Sequence, residues 1–268
     1  MARCFLHGFM QSNYAPHLIS VIDHNEEKRR YLQEQYHVET FEHISKLTHK
    51  IDIYILAVAP KDIEPLSRHF SLAKDALLIS LAAGVQLQSL MEYFGNQRAI
   101  IRAMPNINAE VLCSATGLCS NSYCTENNQQ DAEHLFRAIG ICHWLENESH
   151  MDVFTAVLGS GPAYFFSLME KMHHSAVALG IDPEASSTLI KQLALGSSKL
   201  TVGKNTDFTT LKRQVISEGG TTHAAMESLK ENHFDATIAK AIAASIERAK
   251  ALGQGNIQNK KLTHKEDK

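Results

Sequence analysis

Short apolar runs alternate with charged, helix-forming stretches through the first half of the chain. The runs are rich in Ile, Leu and Val on both faces, which is typical of buried strands. A charged stretch at 26–36 predicts an exposed helix, and a further helix is predicted at 128–139. The predicted strands are 18–23, 51–58, 77–81, 99–104, 116–119 and 141–145. This alternation predicts an α/β domain at 1–150, in which helices cover a parallel sheet.

The pattern changes near residue 151, where helical spacing replaces the strand-like runs. Gly180 ends one long predicted helix, and Asp182-Pro183 opens the next. The predicted helices are 162–179, 183–202, 221–231 and 235–252. The second domain, 151–252, is therefore predicted to be all-helical, and the polar, charged tail at 253–268 to be disordered.

Small residues recur along these later helices and allow two helices to pack closely where they cross. They are Ala176, Ala178, Ala194, Gly196, Ser197 and Ser198. Two arrangements use such residues, namely a bundle within one chain and packing between subunits. A domain of about 100 residues in a few long helices leaves much apolar surface to cover, so we favour a homo-oligomer.

Composition narrows the class of protein. The 268 residues are 44% hydrophobic and 21% charged, with a net charge of -3, which is typical of a soluble globular protein. We expect no nucleic-acid or membrane partner, because the sequence has no basic patch and no long apolar run. Its five cysteines lack CxxC spacing and its 15 histidines are scattered, so we expect a reduced, cytoplasmic chain without a metal site.

One stretch carries candidate chemistry, the segment from Val215 to Thr222. Its two glycines, Gly219 and Gly220, let the backbone approach a ligand closely. Thr221 and Thr222 follow at a predicted helix start, where free N–H groups attract an anion. The segment predicts a seat for a small carboxylate with hydroxyls beside it. The alternative is an ordinary glycine turn with a threonine N-cap.

Five segments occur together in the order and spacing of one known family. They are 57–60 (Ala-Val-Ala-Pro), 79–85 (Ile-Ser-Leu-Ala-Ala-Gly-Val), 102–106 (Arg-Ala-Met-Pro-Asn), 159–164 (Gly-Ser-Gly-Pro-Ala-Tyr) and 217–222 (Ser-Glu-Gly-Gly-Thr-Thr). Over about residues 1–252 the chain resembles the pyrroline-5-carboxylate reductase family. The resemblance implies a Rossmann-like parallel sheet domain followed by an all-helical dimerisation domain. It also implies reduction of 1-pyrroline-5-carboxylate to L-proline, with hydride from NADPH or NADH, in a homodimer or a ring of dimers.

The same resemblance implies two sets of site residues. The substrate set is Val215, Ser217, Gly220, Thr221 and Thr222, with Thr222 as the catalytic hydrogen-bonding group and candidate proton donor at the ring nitrogen. The cofactor set lies mostly at the carboxyl ends of predicted strands, where open α/β sheets bind nucleotides. It consists of Met1, Ala2, Asp23, Ala57, Val58, Pro60, Ala82, Ala83, Gly84, Met104 and Asn106.

The chain departs from the family pattern at several positions. Ala59 stands where the family has Lys, Ile107-Asn108 where it has Thr-Pro, and Glu218 where it has Pro. The family also opens with a strand and a GxGxM loop, whereas this sequence starts at the matching Met1-Ala2. On that pattern we expect a break in the sheet and weak binding of NAD(P)H.

Two other functions stay open at this point. A catalytically impaired homologue with an interaction role fits the departures. A related imine or β-hydroxyacid reductase is the second, although Lys171, Lys191 and Lys199 lie in no matching motif.

The choice of cofactor is also open. Asp23 ends a strand after which NAD enzymes place an acid for the ribose. His24, Lys28, Arg29 and Arg30 lie close in sequence and favour a phosphate. Asp23 is equally compatible with a role as a helix N-cap.

Overall fold

The computed structural model describes residues 1–70, 72–203 and 206–263. The chain divides into two compact units, which are Met1–Ser160 with the residues from Ser245 onward, and Gly161–Ala244. Residues 151–160, which the sequence analysis places in the second domain, lie in the first of these units. The physical reason is that Met151 and Ala156 are buried, and Met151 belongs to a core cluster of the first unit.

The strands of the first unit form two separate sheets. They are β1 (Ser20–Ile22), β2 (Glu39–Phe41), β3 (Ile53–Leu56), β4 (Leu77–Ser80), β5 (Ile100–Met104), β6 (Ser114–Ser120) and β7 (Gly140–Trp144). The first sheet pairs β1 with β2 in parallel, and the second has the order β3-β4-β5-β6-β7. Among the described residues no strand joins the two sheets, so the expected break is present. β2 was not predicted, since it is short and begins with Glu39 and Thr40.

The second sheet is mostly parallel, with one reversal. β3, β4 and β5 run parallel, β5 and β6 are antiparallel, and β6 and β7 are parallel again. The predicted parallel sheet is therefore confirmed for β3, β4 and β5, while the chain direction reverses at β6. The chain between β5 and β6 holds only a 3-10 turn, Ile107–Val111, and a parallel crossover needs a dozen or more residues.

Helices cover both faces of the larger sheet. In the first unit they are α1 (Ala2–Gln11), α2 (Glu26–Tyr36), α3 (Ile63–Ser67), α4 (Leu87–Phe94), α5 (Glu126–Arg137) and α6 (His150–Phe154). Successive strand residues point to opposite faces. Ile101 of β5 therefore joins one apolar cluster with Ile79, while Ile100 joins another with Leu78. Both faces need apolar residues, which explains the continuous apolar runs in the sequence.

The first helix packs closely against the end of α5. Phe5 of α1 meets Phe136 of α5 edge to face, with ring centroids 5.1 Å apart. A Cβ at Gly8 would lie 2.3 Å from the carbonyl oxygen of Ala138. Leu6 packs in a further cluster with Val21 of β1, so α1 also lies against the smaller sheet.

The second unit is helical, as the sequence predicts. A π-helical turn, Thr155–Gly159, leads from α6 to α7 (Gly161–Ala178). The further helices are α8 (Pro183–Gly203), α9 (Phe208–Val215), α10 (Thr221–Glu231) and α11 (Phe234–Thr263). The short helix α9 was not predicted.

The last helix extends beyond the predicted end at 252. α11 continues to Thr263, so the structure differs from the disordered tail expected from 253 onward. Besides two glycines, this stretch contains two glutamines, two lysines and one leucine, which are good helix formers. The remainder of the predicted tail, 264–268, lies outside the described residues.

Candidate functional site

Three parallel strands of the larger sheet end at a common edge. Ala57 and Val58 follow β3, and both are exposed. After β4, Ala82 is buried, while Ala83 and Gly84 are half-buried, and Gly84 has a positive φ of 75°. Small side chains on adjacent loops leave space for a flat ring against the backbone. The structure thus brings these five predicted cofactor residues to one edge of the sheet.

Asn106 has a structural role at the end of β5. It is buried, its side-chain nitrogen donates to the carbonyl oxygen of Leu158 at 3.0 Å, and its Oδ1 accepts from the backbone N–H of Asn108 at 3.1 Å. These bonds occupy its amide group and fix the loop that follows Met104. The assignment of Asn106 to the cofactor set stays a prediction, as do those of the half-buried Met104 and Pro60.

A buried ion pair lies behind this edge, and the sequence analysis missed it. Arg102 of β5 is only 5% exposed, and its guanidinium donates to Glu148 Oε1. The same carboxylate oxygen accepts from the backbone N–H of Leu87 at 2.7 Å, at the start of α4. Glu148 therefore ties β5 to the segment that follows the Ala82–Gly84 loop. The sequence did contain a signal for this pair, an arginine within an apolar strand. A buried charge needs a partner, so such an arginine predicts a carboxylate nearby.

The ion pair affects one neighbouring thiol. Burial raises the pKa of Cys119, and the charge of Glu148 raises it further, whereas Arg102 lowers it. Cys119 pairs with Arg102 across the β5–β6 ladder. It is 6% exposed, so this cysteine serves as an apolar core residue.

The start of α1 offers an anion seat. Met1 is its N-cap and Ala2 its first residue, and among the described residues no side chain caps the helix and its first turn holds no acid. Its first N–H groups therefore point outward with the positive end of the helix dipole. This donor set suits a pyrophosphate group. Together with the small side chains at the strand ends, these residues fit a dinucleotide.

Asp23 follows β1 and makes a local turn. Its Oδ1 accepts from the backbone N–H of Asn25 at 2.9 Å. The N-cap of α2 is Asn25, whose side chain accepts from the N–H of Lys28 at 2.9 Å. The alternative that Asp23 is the helix N-cap is therefore wrong, because Asp23 lies two residues too early for that position.

The glycine-threonine segment forms a tight turn in the second unit. The N–H of Gly220 donates to the carbonyl oxygen of Ser217 at 2.9 Å, and Gly219 has a φ of 69°. A positive φ at the third position identifies a type II turn, which favours proline at its second position. Glu218 occupies that second position and is exposed. The turn therefore forms with glutamate where the family has proline.

Helix α10 begins directly after this turn. Its N-cap is Gly220, and among the described residues no side chain caps it, so Thr221 is not an N-cap as the alternative required. Thr221 is exposed and Thr222 half-buried, while Val215 at the end of α9 is 67% exposed. The open N–H groups and two hydroxyls of the first turn suit a small carboxylate. The predicted substrate residues therefore lie together along one short segment.

The two candidate sets belong to different units. The cofactor set lies in the first unit, and the substrate set in the second. In the part of the chain that the structure describes, no group of His, Cys, Asp and Glu is arranged to hold a metal ion. Over the same residues, no helix has the length and apolarity that a membrane crossing requires.

Two family models match the chain. Residues 148–252 match the family described as pyrroline-5-carboxylate reductase dimerisation. Residues 1–84 match the family described as NADP oxidoreductase, coenzyme F420-dependent.

Relatives match the chain over nearly its full length. It is 31% identical to a pyrroline-5-carboxylate reductase of Pseudomonas aeruginosa, over 95% of this chain and 94% of the relative. It is 33% identical to one of Haemophilus influenzae, over 94% of each chain. The structure of a pyrroline-5-carboxylate reductase of Coxiella burnetii aligns with a TM-score of 0.87 at 32% identity, covering 94% of both chains. That of Plasmodium falciparum pyrroline carboxylate reductase with NADP bound aligns with a TM-score of 0.82 at 26% identity, also covering 94% of both.

Proposed function

The chain belongs to the pyrroline-5-carboxylate reductase family, and from that premise we propose which of its residues carry the reaction. The protein reduces 1-pyrroline-5-carboxylate to L-proline with NAD(P)H as the reductant. The observation that carries the assignment of the substrate site is the uncapped start of α10 directly after the Ser217–Gly220 turn. In a cell this reaction is the last step of proline biosynthesis.

The first unit provides the cofactor site. The bound nicotinamide supplies the hydride that reduces the C=N bond of the cyclic imine. The open loops after β3 and β4 seat the ring, with Ala57, Val58 and Ala82–Gly84 leaving room for it. The start of α1 holds the pyrophosphate, because its N–H groups lack a side-chain cap. Glu148 acts behind the site and keeps the loop after β4 in place through the N–H of Leu87.

The second unit provides the substrate site. The substrate carries one carboxylate, and the N–H groups at the start of α10 hold it together with Ser217 and Thr221. Thr222 is half-buried at the second helical position, and its hydroxyl donates to the ring nitrogen. The nitrogen gains a proton as the carbon gains hydride, and the Thr222 hydroxyl passes a proton to the nitrogen and takes another from solvent. Val215 lies next to the turn and presents apolar surface to the ring.

The functional molecule is a homodimer or a ring of dimers. The matched dimerisation family covers 148–252, which includes α7 to α10. Large apolar side chains of these helices are exposed in the single chain, Phe165 at 63% and Leu189 at 61%. Burial of such side chains against a partner stabilises association.

We place the enzyme in the cytoplasm. All five cysteines are free, and four of them are buried or half-buried. Free thiols are typical of proteins in a reducing compartment. Small-molecule substrate and cofactor are its only expected partners besides further copies of the chain.

The substitution Thr222→Ala tests the substrate site. It removes one hydroxyl that contacts the nitrogen, so we expect turnover of 1-pyrroline-5-carboxylate to fall by about 5- to 150-fold. Steady-state kinetics measure this, and fluorescence titration with NAD(P)H checks that cofactor binding is unchanged. Thr237→Ala is the matched control, because Thr237 on α11 only donates to the backbone of His233. Full turnover by Thr222→Ala would show that the Thr222 hydroxyl has no role in the reaction.

A further inference from the structure

The end of β1 holds an acidic group with one oxygen available to a ligand. Asp23 Oδ1 is occupied by the N–H of Asn25, but among the described residues no hydrogen-bond donor contacts Oδ2. The side chain is 28% exposed, so solvent or a ligand reaches it. Two hydrogen bonds also fix the backbone of Asp23. Its backbone N–H donates to the carbonyl oxygen of Phe41, and its backbone carbonyl oxygen accepts from Arg29. The carboxylate is therefore held rigidly at the carboxyl end of the strand.

The cations nearby are engaged or directed elsewhere. Arg29 Nη1 donates to the carbonyl oxygen of Asp23 at 2.8 Å, which turns this guanidinium toward the backbone. Arg29 also contributes to the lowered pKa of Glu42, after the larger effects of Lys46 and His43. Lys28 and Arg30 are exposed on α2. None of these cations pairs with the Asp23 carboxylate, and the ring of His24, whose Nδ1 lies 3.8 Å from Asp23 Oδ1, is highly exposed.

An acid in this position discriminates between the two nicotinamide cofactors. In a dinucleotide-binding unit, an acid about 20 residues after the start of the first helix accepts hydrogen bonds from the ribose hydroxyls of NAD. A 2′-phosphate in the same place would lie against the carboxylate, and like charges repel strongly at short range. We propose that Asp23 makes this protein prefer NADH to NADPH. This inference rests on the proposed function, because it takes the end of β1 as the seat of the adenosine ribose.

The preference is argued from this chain's own residues. The Plasmodium falciparum relative was solved with NADP bound, at 26% identity. Cofactor choice within such a fold depends on one or two side chains at this strand end, so relatives need not share it. The opposite result, in which Lys28 and Arg30 attract a 2′-phosphate and NADPH binds better, is the alternative outcome of the test.

The test compares the binding of both cofactors by isothermal titration calorimetry. For the unchanged protein we expect NADH to bind about 10- to 100-fold more tightly than NADPH, the effect of one close like-charge contact after screening. Asp23→Asn keeps the Oδ1 acceptor for Asn25 and removes the charge, so we expect this variant to lose most of the preference for NADH. The control is Glu39→Gln, which removes the same charge at the opposite end of the sheet, where Glu39 pairs with Ser20. It should leave the ratio unchanged.

Each outcome decides the question. The inference would be overturned if the unchanged protein binds both cofactors equally or binds NADPH more tightly. It would also be overturned if Asp23→Asn keeps the NADH preference of the unchanged protein. Binding of neither cofactor at millimolar concentration would overturn it as well. A parallel assay of 1-pyrroline-5-carboxylate reduction separates the two proposals. Reduction without cofactor preference overturns only the role of Asp23. A clear NADH preference without any reduction overturns the proposed function and leaves the role of Asp23 standing.

Discussion

The two units of this protein differ in how their apolar side chains are covered. The first unit buries them in clusters on both faces of its sheet. In the second unit, among the described residues, only Gly161, Pro162 and Ser186 are buried. Its helices instead expose large apolar side chains, which include Phe166, Leu168, Leu193, Leu200, Val202 and Phe208.

This difference shows where each unit obtains its stability. The first unit has a core of its own, as an independently folding domain requires. The second unit has helices of good length but almost no core, and helical propensity alone rarely stabilises a helix in water. Large apolar side chains exposed in such number are typical of an association surface. The proposed homo-oligomer would cover these side chains, and the following predictions test that contrast between the units.

A charge on the exposed face of α8 should have the largest effect. Leu189, Leu193, Gly196 and Leu200 follow helical spacing and share one face. Leu193→Glu places a carboxylate in the proposed contact, so we expect the dimer dissociation constant to rise by about 100- to 1,000-fold. Sedimentation velocity measures it. Lys191→Glu places a carboxylate on the opposite, exposed face, because Lys191 lies two residues from both Leu189 and Leu193, and it should leave the dimer intact. Dimers that survive Leu193→Glu would place the contact elsewhere.

The next largest effect is expected from a glycine substitution that destabilises the first unit alone. Gly140 has a φ of 148°, and a Cβ there would lie 2.1 Å from the carbonyl oxygen of Ser114. Since backbone must move, we expect Gly140→Ala to lower the free energy of unfolding by about 3 kcal/mol. Urea denaturation followed by the fluorescence of Trp144, the single tryptophan, reports on the first unit.

The matched control is Gly196→Ala in the second unit. A Cβ at Gly196 meets nothing within 4 Å in the single chain, so folding should not suffer, and alanine favours a helix by about 1 kcal/mol. Gly196 also lies on the proposed contact face of α8, so sedimentation velocity measures separately whether the variant still dimerises. A loss of stability at Gly196 as large as that at Gly140 would remove the distinction between the units.

The smallest expected effect concerns alkaline pH. Burial raises the pKa of Cys124 from 9.0 to about 11, and its thiol donates to the carbonyl oxygen of Ile100. Since the unfolded thiol loses its proton first, stability should be constant below about pH 9 and fall as the pH rises toward 11. With allowance for its partial exposure the loss is about 1 kcal/mol.

Denaturation at about pH 8 and pH 10 checks this effect. Cys124→Ala should reduce the decline between the two conditions. All five cysteines lie in the first unit, so the second unit should show no such contribution. An equal decline in Cys124→Ala would assign the effect to other groups, such as Tyr14, whose pKa burial also raises.

The sequence predicts the elements whose pattern is strong and local. Residues 26–36 and 221–231 coincide with α2 and α10, because Asn25 caps the start of α2 and two glycines directly precede α10. It misses α9, which is short, and β2, which is polar. The Arg102–Glu148 pair joins residues 46 positions apart, so only the fold reveals it. The reversal at β6 depends on the length of one connection, which strand propensity does not encode.

In the candidate site too, the sequence predicts local features, whereas features that depend on distant contacts need the structure. The glycine-threonine segment is recognisable from residue types alone, and the structure adds that its helix start is uncapped. The carboxyl-end edge is predictable once parallel strands are recognised. The roles of Asn106 and Asp23 needed coordinates, because each depends on which hydrogen bonds its side chain already makes.

The turn before α10 also restricts how this protein can vary through evolution. Because each helical residue rotates the chain by about 100°, one residue inserted or deleted between Gly220 and Thr222 would move the Thr222 hydroxyl to another side of the helix. Replacement of a side chain leaves that angle unchanged, and Glu218 in place of proline is such a replacement. In descendants of this sequence, the segment should therefore tolerate changes of residue type far better than changes of length.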